Sequence, residues 1–438
     1  MSQKGANNTS DSHEFDLIVV GGGAAGFFTA ITCAESSPNA RILILEKSPK
    51  VLGKVKISGG GRCNVTHACF DPRELTSFYP RGSKQLIGPF HRWGPTETME
   101  WFESRDVPLK IESDNRVFPQ SDASQSVIDC LLEAARKSGV VVRTDRAVTS
   151  ATKLENGLFE VETGAGERLR SRCLALTTGG SRDAGGAQIA ANFGHRLEPA
   201  APSLFTFKIN DPRIADLPGL SVSNARVHVV ESEGTADLEA EGPVLITHWG
   251  LSGPGILRIS AWGARVLQAL DYRFKISIDW TENAGRVEAV AEKFDELRSH
   301  SPKRAIVKDP QFGIPSRLWR RLVETGLVEA GRTEREIEEL RWPHLSRDAG
   351  SSMARQLADC RFQVTGKSMN KEEFVTCGGV NLNEVNFKTM ESRSASGLFF
   401  AGELLDIDGI TGGFNFQAAW TTGRIAGEAM AEHIETPS

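Results

Sequence analysis

The stretch FDLIVVGGGAAG, residues 15–26, decides the fold. Its apolar first half predicts a buried parallel strand, and the pattern that follows the glycines predicts a helix. Gly21 permits the tight turn between them, Gly23 lets backbone N–H groups approach a pyrophosphate, and Gly26 lets the helix pack close to the strand. The N-terminus of that helix would present free N–H groups and a positive dipole end to phosphates.

A second apolar strand, RILILEK at residues 41–47, carries Glu46, and 46 − 26 = 20 residues separate that acid from Gly26. A carboxylate at this spacing accepts the ribose hydroxyls of a dinucleotide. An acid in place of a basic residue disfavours a 2′-phosphate, so the site is expected to bind FAD or NAD and not NADP. Strand, loop, helix, strand and acid in this order predict dinucleotide binding.

The far end of the chain distinguishes FAD from NAD. Residues 397–427 read GLFFAGELLDIDGITGGFNFQAAWTTGRIAG, which is a short strand, an acidic loop, two glycines and an amphipathic helix. Such a unit completes the flavin half of the site in FAD domains. Asp406 is the candidate for a ribitol hydroxyl. Backbone N–H groups near Gly413, Phe414 and Asn415 can face the flavin N1–C2=O edge, where a helix N-terminus stabilises negative charge.

Further segments fit the same cofactor. KVKISGGGRCNVT, residues 54–66, contains three consecutive glycines whose backbone can lie against a flat ring or phosphates. Arg62 and Asn64 supply a fixed charge and a hydrogen-bonding amide there. The strand around Val148 is expected to offer adenine a main-chain contact, and CLALTTGGS at residues 173–181 is placed to close over the cofactor.

Bulk properties set limits on function. A chain of 438 residues is expected to form two or three domains, and a net charge of −5 makes a nucleic-acid partner an unfavoured prediction. The sequence shows no apolar run long enough to span a bilayer, and residues 1–14 resemble a disordered tail, so we expect a cytoplasmic protein without a membrane partner. The seven scattered cysteines are interpreted as reduced thiols, with a redox-active Cys63–Cys69 pair as the alternative. No metal site is predicted.

Together these segments resemble the BaiN/RdsA-type NAD(P)/FAD-dependent oxidoreductases, a family that also contains aminoacetone oxidases. The matching motifs are GGGAAG (21–26), SGGGRCNVT (58–66), RVFPQS (116–121), TTGGS (177–181), THWGLSGPGILRIS (247–260) and the stretch from residue 375 to residue 427. One departure is the run RDAGGAQIAANFGH after Ser181, which is shorter than in the family. The substrate is therefore not carried over from the resemblance.

The resemblance implies an α/β fold with a Rossmann-like, glutathione-reductase-like FAD-binding domain built from both chain ends, residues 15–198 and 366–438. It also implies an inserted β-rich domain at 199–280 and 345–365, with a nested small helical domain at 281–344. The residue patterns and the resemblance together predict that FAD is bound by Gly21, Gly23, Ala24, Ala25, Gly26, Glu46, Lys47, Lys54, Gly60, Arg62, Cys63, Asn64, Val148, Thr178, Gly179, Gly402, Glu403, Asp406, Gly412, Gly413, Phe414 and Asn415.

The insertion contains no second G-x-G-x-x-G motif. If NAD(P)H is the reductant, it is therefore expected to bind transiently over the flavin and not in a dinucleotide-binding domain of its own. Two weak catalytic candidates are His248, in the turn before Gly250, and Arg62.

Arg317, Arg320 and Arg321 are expected to form the solvated face of an amphipathic helix, with an anionic-partner or nucleic-acid site as the alternative.

The leading hypothesis is two-electron hydride transfer through flavin N5, in an NAD(P)H-linked reduction of a small organic substrate. One alternative is an O₂-using oxidase of a small amine or aminoketone. Another is an RNA- or partner-binding flavoprotein in which FAD is structural. The sequence leaves the oligomeric state open.

Overall fold

In this computed structural model the chain is described over residues 14–180, 185–230, 238–281, 286–301, 303–368 and 375–436. The predicted tail lies outside the described residues apart from Glu14, with which the first strand begins. Residues 181–184 of the shortened loop also lie outside them. The chain divides into two units, one that runs to Ala201 and resumes at Val375, and one that spans Pro202–Phe374.

The elements of the first unit come from both ends of the chain. The N-terminal part contains β1 (Glu14–Val20), α1 (Ala24–Ser36), β2 (Ile42–Leu45), α2 (Gly53–Gly61), β3 (Thr66–His67), α3 (Pro72–Thr76), α4 (Ser83–Arg92), α5 (Pro95–Glu103), β4 (Leu109–Ile111), β5 (Arg116–Pro119), α6 (Ser124–Lys137), β6 (Val141–Arg143), β7 (Val148–Lys153), β8 (Phe159–Thr163), β9 (Arg168–Leu176), α7 (Gly185–Asn192) and β10 (Leu197–Ser203).

The elements of the second unit follow, and the chain then returns to the first. The second unit contains β11 (Thr206–Lys208), β12 (Ser221–Val229), β13 (Glu239–Thr247), β14 (Gly250–Ser252), α8 (Pro254–Trp262), α9 (Ala264–Ala269), β15 (Phe274–Asp279), α10 (Val287–His300), α11 (Ser316–Glu329), α12 (Glu334–Glu339), α13 (Arg347–Ala358), β16 (Cys360–Val364) and β17 (Gly366–Ser368). The C-terminal part of the first unit contains β18 (Val375–Val380), β19 (Val385–Asn386), β20 (Glu391–Ser392), β21 (Leu398–Phe400) and α14 (Phe414–Glu435).

A sheet of nine strands, counted over the described residues, frames the first unit. Its order is β19-β20-β21-β9-β1-β2-β6, and β8 joins β7 to β9. The pairings from β21 through to β6 are all parallel. The central strands are continuous apolar runs because both faces of a parallel sheet are covered, and all four residues of β2 are buried. Because β1 lies between β2 and β9, the glycine loop after β1 opens at the middle of the sheet, as in Rossmann folds. The predicted α/β class and the Rossmann-like unit from both chain ends are confirmed.

Helices α1 and α14 pack closely against each other in this unit. A Cβ placed on Gly423 would lie 2.9 Å from the carbonyl oxygen of Ala25, and one on Gly427 would lie 2.6 Å from that of Thr29. Glycine at both positions therefore lets the two backbones approach. The contact places the N-termini of the first and last helices of the chain in one unit.

The second unit is built on a seven-stranded sheet, again within the described ranges, whose pairings are antiparallel. Its strands and helices share one hydrophobic core that includes Trp280, Trp319 and Trp342. The predicted domain boundaries, including the separation of a helical domain at 281–344, stay predictions. None of the helices in the described ranges has both the length and the apolar character that a bilayer crossing requires.

Candidate FAD-binding site

The glycine loop after β1 has three distinct requirements. Gly21 has φ +114°, and a Cβ there would lie 2.6 Å from the carbonyl oxygen of Thr177, so the position accepts only glycine. A Cβ on Gly26 would lie 2.0 Å from the carbonyl oxygen of Gly21. Gly23 differs, because a Cβ there would meet nothing within 4 Å, and it begins α1 without a side-chain cap. The loop therefore exposes bare backbone and uncapped N–H groups where phosphates were predicted.

The predicted ribose-binding acid lies beside this loop. The two carboxylate oxygens of Glu46 accept hydrogen bonds from Gly22 N–H and Ser48 N–H, each at 2.8 Å. Glu46 is half-buried, whereas Lys47 is exposed. The carboxylate is thus held at the loop by backbone donors on both sides.

The triple glycine at the end of α2 is a left-handed turn. Gly59, Gly60 and Gly61 have φ values of +58°, +69° and +85°, and Cys63 also has a positive φ of +63°. A Cβ on Gly60 or on Gly61 would meet nothing within 4 Å. The turn consequently presents a second surface of bare backbone. Such a surface is what the sequence predicted here, a backbone that can lie against a flat ring or phosphates.

Asn64 joins this turn to the C-terminal glycines. With its amide oriented by its neighbours, the oxygen accepts from Gly413 N–H at 2.9 Å, and the nitrogen donates to Thr66 O at 2.9 Å and Val117 O at 3.2 Å. A Cβ on Gly413 would lie 2.5 Å from Thr66 O. Two segments that are about 350 residues apart in the chain are therefore in direct contact.

The N-terminus of α14, like that of α1, has no side-chain cap. Gly412 and Gly413 are both in the positive-φ region, at +130° and +95°. The side chain of Asn415 closes the preceding loop, since it accepts from Gly409 N–H at 2.8 Å and donates to Gly409 O at 2.9 Å. Because Gly413 N–H is used by the Asn64 amide, the predicted flavin-facing donors reduce to the N–H groups of Phe414 and Asn415.

The ring of Phe414 is part of the core. It stacks against both His67 and Phe78, with a centroid distance of 4.6 Å to each, and is almost fully buried. Trp420 is also buried, and its indole N–H donates to Val65 O. These rings pack against protein, and the backbone is the part of residue 414 that is available to a ligand.

The acidic residues that follow β21 have different surroundings. Glu403 forms an ion pair with Lys54 at 2.5 Å, and a Cβ on Gly179 would lie 3.6 Å from the same carboxylate. Asp406, which is buried, accepts from Gly378 N–H at 2.9 Å. The structure thus brings Lys54, Gly179 and Glu403 together and commits one oxygen of Asp406 to the backbone.

Gly402 and Val148 are two further contacts that the sequence predicted. Gly402, at φ +73°, approaches the methyl group of Ala25, and its N–H donates to Thr422 at 3.0 Å. Val148 is the first residue of β7 and is buried. Within the described part of the chain, the buried hydroxyl of Thr178 has no hydrogen-bond partner. An unsatisfied buried hydroxyl indicates a missing polar partner.

Arg62 and Cys63 do not have the surroundings of reactive groups. Arg62 forms ion pairs with Glu112 at 2.7 Å and Asp122 at 3.5 Å, and its guanidinium stacks on the ring of Phe118. Burial raises the pKa of the Cys63 thiol to about 12. The two neighbours of the glycine turn therefore support the local structure, as an ion-paired cation and a neutral thiol.

The second unit contains the other candidates from the sequence. His248 and Trp249 are exposed in the turn between β13 and β14. On α11, Arg320 pairs with Glu324 and Glu338, and Arg317 donates to the carbonyl oxygen of Asp216. These acidic partners leave less uncompensated positive charge on α11 than the sequence alone suggested.

This region also contains residues 78–82, FYPRG, which no sequence pattern predicted as part of it. Tyr79 hydroxyl donates to Phe414 O at 2.6 Å, and Arg81 forms an ion pair with the buried Asp408. The segment carries no glycine pattern or acid at a diagnostic spacing. The one available signal was Tyr79, because the chain has only two tyrosines.

Known proteins are similar to this chain over nearly its whole length. The family model described as the HI0933-like protein Rossmann domain matches residues 15–429. The ribosomal RNA dihydrouridine synthase of Escherichia coli (strain K12) is 28% identical over 415 residues, covering 93% of this chain and 96% of that protein. The 3-dehydro-bile acid delta(4,6)-reductase of Clostridium scindens is 30% identical over 421 residues, covering 94% and 98%. Among solved structures, the 3-ketosteroid-delta4-(5alpha)-dehydrogenase of Rhodococcus jostii RHA1 matches with a TM-score of 0.50 at 16% identity. The match covers 97% of this chain and 98% of that chain, and it shows a similar fold alone.

Proposed function

This chain belongs to the family of the HI0933-like protein Rossmann domain, and from that premise we propose that it reduces a carbon–carbon double bond conjugated to a carbonyl group. The predicted resemblance is confirmed, and the chain is an enzyme of the FAD-dependent oxidoreductase class. The direction of the reaction, the electron donor and the substrate are the proposed part.

The observation that carries the proposal is the surroundings of two uncapped helix N-termini, those of α1 and α14, each of which follows a glycine-containing loop. One begins at Gly23 after the central strand, and the other begins at Gly413 after the loop that Asn415 closes. Each offers N–H donors and a positive dipole end. FAD carries two groups that need such a partner, the pyrophosphate and the N1–C2=O edge of its ring system.

The residues present fit FAD. Glu46 would accept ribose hydroxyls, and the N-terminus of α1 would bind the phosphates across the bare backbone at Gly23. The open turn at Gly60 and Gly61 would lie against the cofactor, and the unpartnered hydroxyl of Thr178 would gain a polar neighbour. The remaining predicted contacts stay part of the proposal on the strength of the family resemblance.

When bound, FAD supplies hydride transfer through its N5 atom, and the protein supplies position and electrostatics. Asn64 holds the start of α14 through Gly413, which keeps the donors of Phe414 and Asn415 in a fixed orientation. The Tyr79 hydroxyl is buried and donates to Phe414 O at 2.6 Å, and burial raises the pKa of this phenol well above its usual value, which disfavours it as a proton donor. His248 stays a weak candidate for the acid.

The substrate class rests on the names of two relatives. A dihydrouridine synthase, by its name, saturates the uracil double bond that is conjugated to a carbonyl group, and a delta(4,6)-reductase of a 3-dehydro-bile acid acts on double bonds conjugated to a ketone. Both reactions add hydride to an electron-poor carbon and a proton to its neighbour. We propose a small conjugated carbonyl compound for this chain, with NAD(P)H as the transient reductant.

The test is anaerobic reduction of the purified yellow protein, followed by flavin absorbance. We expect NADH or NADPH to bleach the flavin, and a conjugated enone to restore the absorbance without O₂. Bleaching by a small amine or aminoketone alone, with no response to either nicotinamide, would refute the reductase and favour the oxidase.

RNA uridine is the second candidate substrate, favoured by the name of the Escherichia coli relative. The same reoxidation assay with a uridine-containing ribosomal RNA transcript separates the two candidates. Reoxidation by RNA and not by enones would assign the activity to RNA, and the prediction that nucleic acid is not a partner would then be wrong. A transcript in which uridine is replaced by 5,6-dihydrouridine is the matched control.

A further inference from the structure

A cavity of about 640 Å³ lies within the second unit, between the loop that follows β11 and the C-terminal halves of α11 and α13. Its size is that of a small-molecule site, which typically measures roughly 300–1,000 Å³. Equal numbers of cationic and anionic side chains line it, and these are Arg213, Arg355, Arg361, Asp211, Glu329 and Asp359. None of these six residues is among the predicted FAD contacts.

Four of the six charges pair with each other. Arg213 donates to both oxygens of Asp211, at 2.8 and 2.7 Å, and Arg361 pairs with Asp359 at 2.9 Å. The guanidinium of Arg213 also donates to the side-chain oxygen of Gln356 at 2.8 Å and to the carbonyl oxygen of Arg361 at 2.6 Å. These contacts fix the guanidinium as part of the wall and compensate all four charges.

The carboxylate of Glu329 has neutral donors instead of a cation. The amide of Gln356 donates to its two oxygens at 2.9 and 3.0 Å, and the hydroxyl of Ser352 donates to one of them at 3.2 Å. Arg213 attracts this carboxylate at longer range, but its N–H groups are used elsewhere. Over the described residues, Glu329 is therefore oriented by hydrogen bonds and has no ion pair.

Arg355 is the remaining cation of the cavity. It is exposed, and its guanidinium forms no ion pair with any residue that the structure describes. On α13 it comes three residues after Ser352 and one residue before Gln356, the two residues that bond Glu329. One helical turn rises only about 5.4 Å, so Arg355 and Glu329 lie close enough for one small molecule to contact both.

We propose that this cavity binds a free α-amino acid, with the ligand carboxylate on Arg355 and the ligand ammonium group on Glu329. A planar guanidinium matches a carboxylate with two parallel hydrogen bonds, and a carboxylate accepts the N–H groups of an ammonium ion. An α-amino acid carries both charges within a few atoms, as the short separation of the two residues requires. The rest of the cavity holds the ligand side chain.

Ligands with a single charge fit this pair of residues less well. An anion that binds Arg355 faces the carboxylate of Glu329, and a cation that binds Glu329 faces the guanidinium of Arg355. In each case an unfavourable Coulomb interaction opposes the favourable one. A zwitterion has both interactions favourable. The site goes beyond the proposed reduction of a conjugated double bond, and its occupancy does not depend on the binding of FAD.

The experiment screens the protein-building amino acids one by one against the purified full-length protein by thermal shift, and measures the affinity of each hit by isothermal titration calorimetry. For every hit, the same molecule without its ammonium group and the same molecule without its carboxylate are titrated in parallel. For L-alanine these analogues are propionate and ethylamine. Arg355→Gln and Glu329→Gln each remove one charge, and glutamine at 329 keeps an acceptor for the amide of Gln356.

Arg347→Gln and Glu292→Gln are the matched controls, because both residues are exposed on helices of the same unit and neither lines the cavity. Thermal unfolding without ligand reports the folding of each variant. We expect at least one amino acid to bind, and both of its analogues to bind at least about tenfold more weakly. Each cavity variant should lose about tenfold or more in affinity, and the controls should lose none.

Three results would overturn the inference. The first is that no amino acid binds at millimolar concentration. The second is that an analogue with one charge binds as tightly as the amino acid. The third is that folded Arg355→Gln or Glu329→Gln protein keeps the wild-type affinity. The flavin absorbance of the same samples reports FAD separately, so none of these results bears on the proposed function.

Discussion

Gly23→Ala separates a requirement of the cofactor from a requirement of the fold. A methyl group at this position would meet nothing within 4 Å, and the backbone at φ −91° and ψ −171° is open to any residue. The neighbouring Gly26 is the contrast, because a methyl group there would lie 2.0 Å from the carbonyl oxygen of Gly21. The same substitution, made at two glycines three residues apart, should therefore damage cofactor binding in one case and folding in the other.

The expected magnitudes follow from these surroundings. In the apoprotein, the reduced entropy of the unfolded chain stabilises alanine by about 0.4–1 kcal/mol, and the poorer helix cap costs a similar amount. The free energy of unfolding of Gly23→Ala should thus stay within about 1 kcal/mol of the wild type. With FAD, the methyl group would occupy space predicted for the pyrophosphate, and overpacking costs about 1–3 kcal/mol. That corresponds to an affinity weaker by about 5- to 150-fold.

The assay combines denaturant unfolding of the apoprotein with FAD titration followed by flavin fluorescence. Gly88→Ala is the matched control, because Gly88 lies inside α4 and a methyl group there also meets nothing within 4 Å. Because Pro89 follows Gly88, the gain in helix propensity is offset by the clash between a Cβ and the proline ring, so the free energy of unfolding should stay within about 1 kcal/mol of the wild type. FAD affinity should be unchanged. A folded Gly23→Ala protein that binds FAD as tightly as the wild type would refute the placement of the pyrophosphate.

Three further predictions concern stability and thiol chemistry. Asn64→Ala should lower the free energy of unfolding by about 1–3 kcal/mol in denaturant titrations, because Gly413 N–H loses its acceptor; an unchanged midpoint would contradict this. Burial lowers the pKa values of His67 and His195, so the folded state favours the neutral rings. The stability that the neutral rings contribute is fully present above about pH 6.5, which is the pKa of histidine in the unfolded chain. It is lost as the pH falls towards the lower pKa values of the folded state, by up to about 1.4 kcal/mol per pH unit and site. Replacing both histidines with glutamine should flatten this dependence of the free energy of unfolding on pH. Cys63 should resist alkylation in the folded protein and react after denaturation, as mass spectrometry would detect, since its thiol pKa is about 12.

Local patterns predicted the parts of the fold that are specified within short segments. The strand, loop, helix and acid of the first βαβ unit follow from residues 15–46, and β1, α1 and β2 lie there. The pairing of β1 with β9, and of β9 with β21, was beyond such patterns, because these strands come from distant segments of the chain. Their neighbours in the sheet depend on the packing of the whole unit.

The candidate site was predictable where backbone conformation leaves a trace in the sequence. Glycines at positive φ, such as Gly60 and Gly413, are visible because other residues are strained there. Hydrogen-bond partners leave no such trace. The sequence therefore could not predict that Asn64 binds Gly413 N–H or that Arg62 pairs with Glu112. The contacts of Tyr79 with Phe414 and of Arg81 with Asp408 were equally unpredictable.

The close packing of α1 against α14 has a consequence for biosynthesis. The ribosome makes the glycine loop before α14, and the insertion of Pro202–Phe374 is made between them. A nascent chain stalled before residue 414 would possess the loop but lack the helix that packs against α1 and supplies the second set of N–H donors. Tight loading with flavin is therefore expected only after residues 414–435 have been made, and a product truncated before them would be colourless.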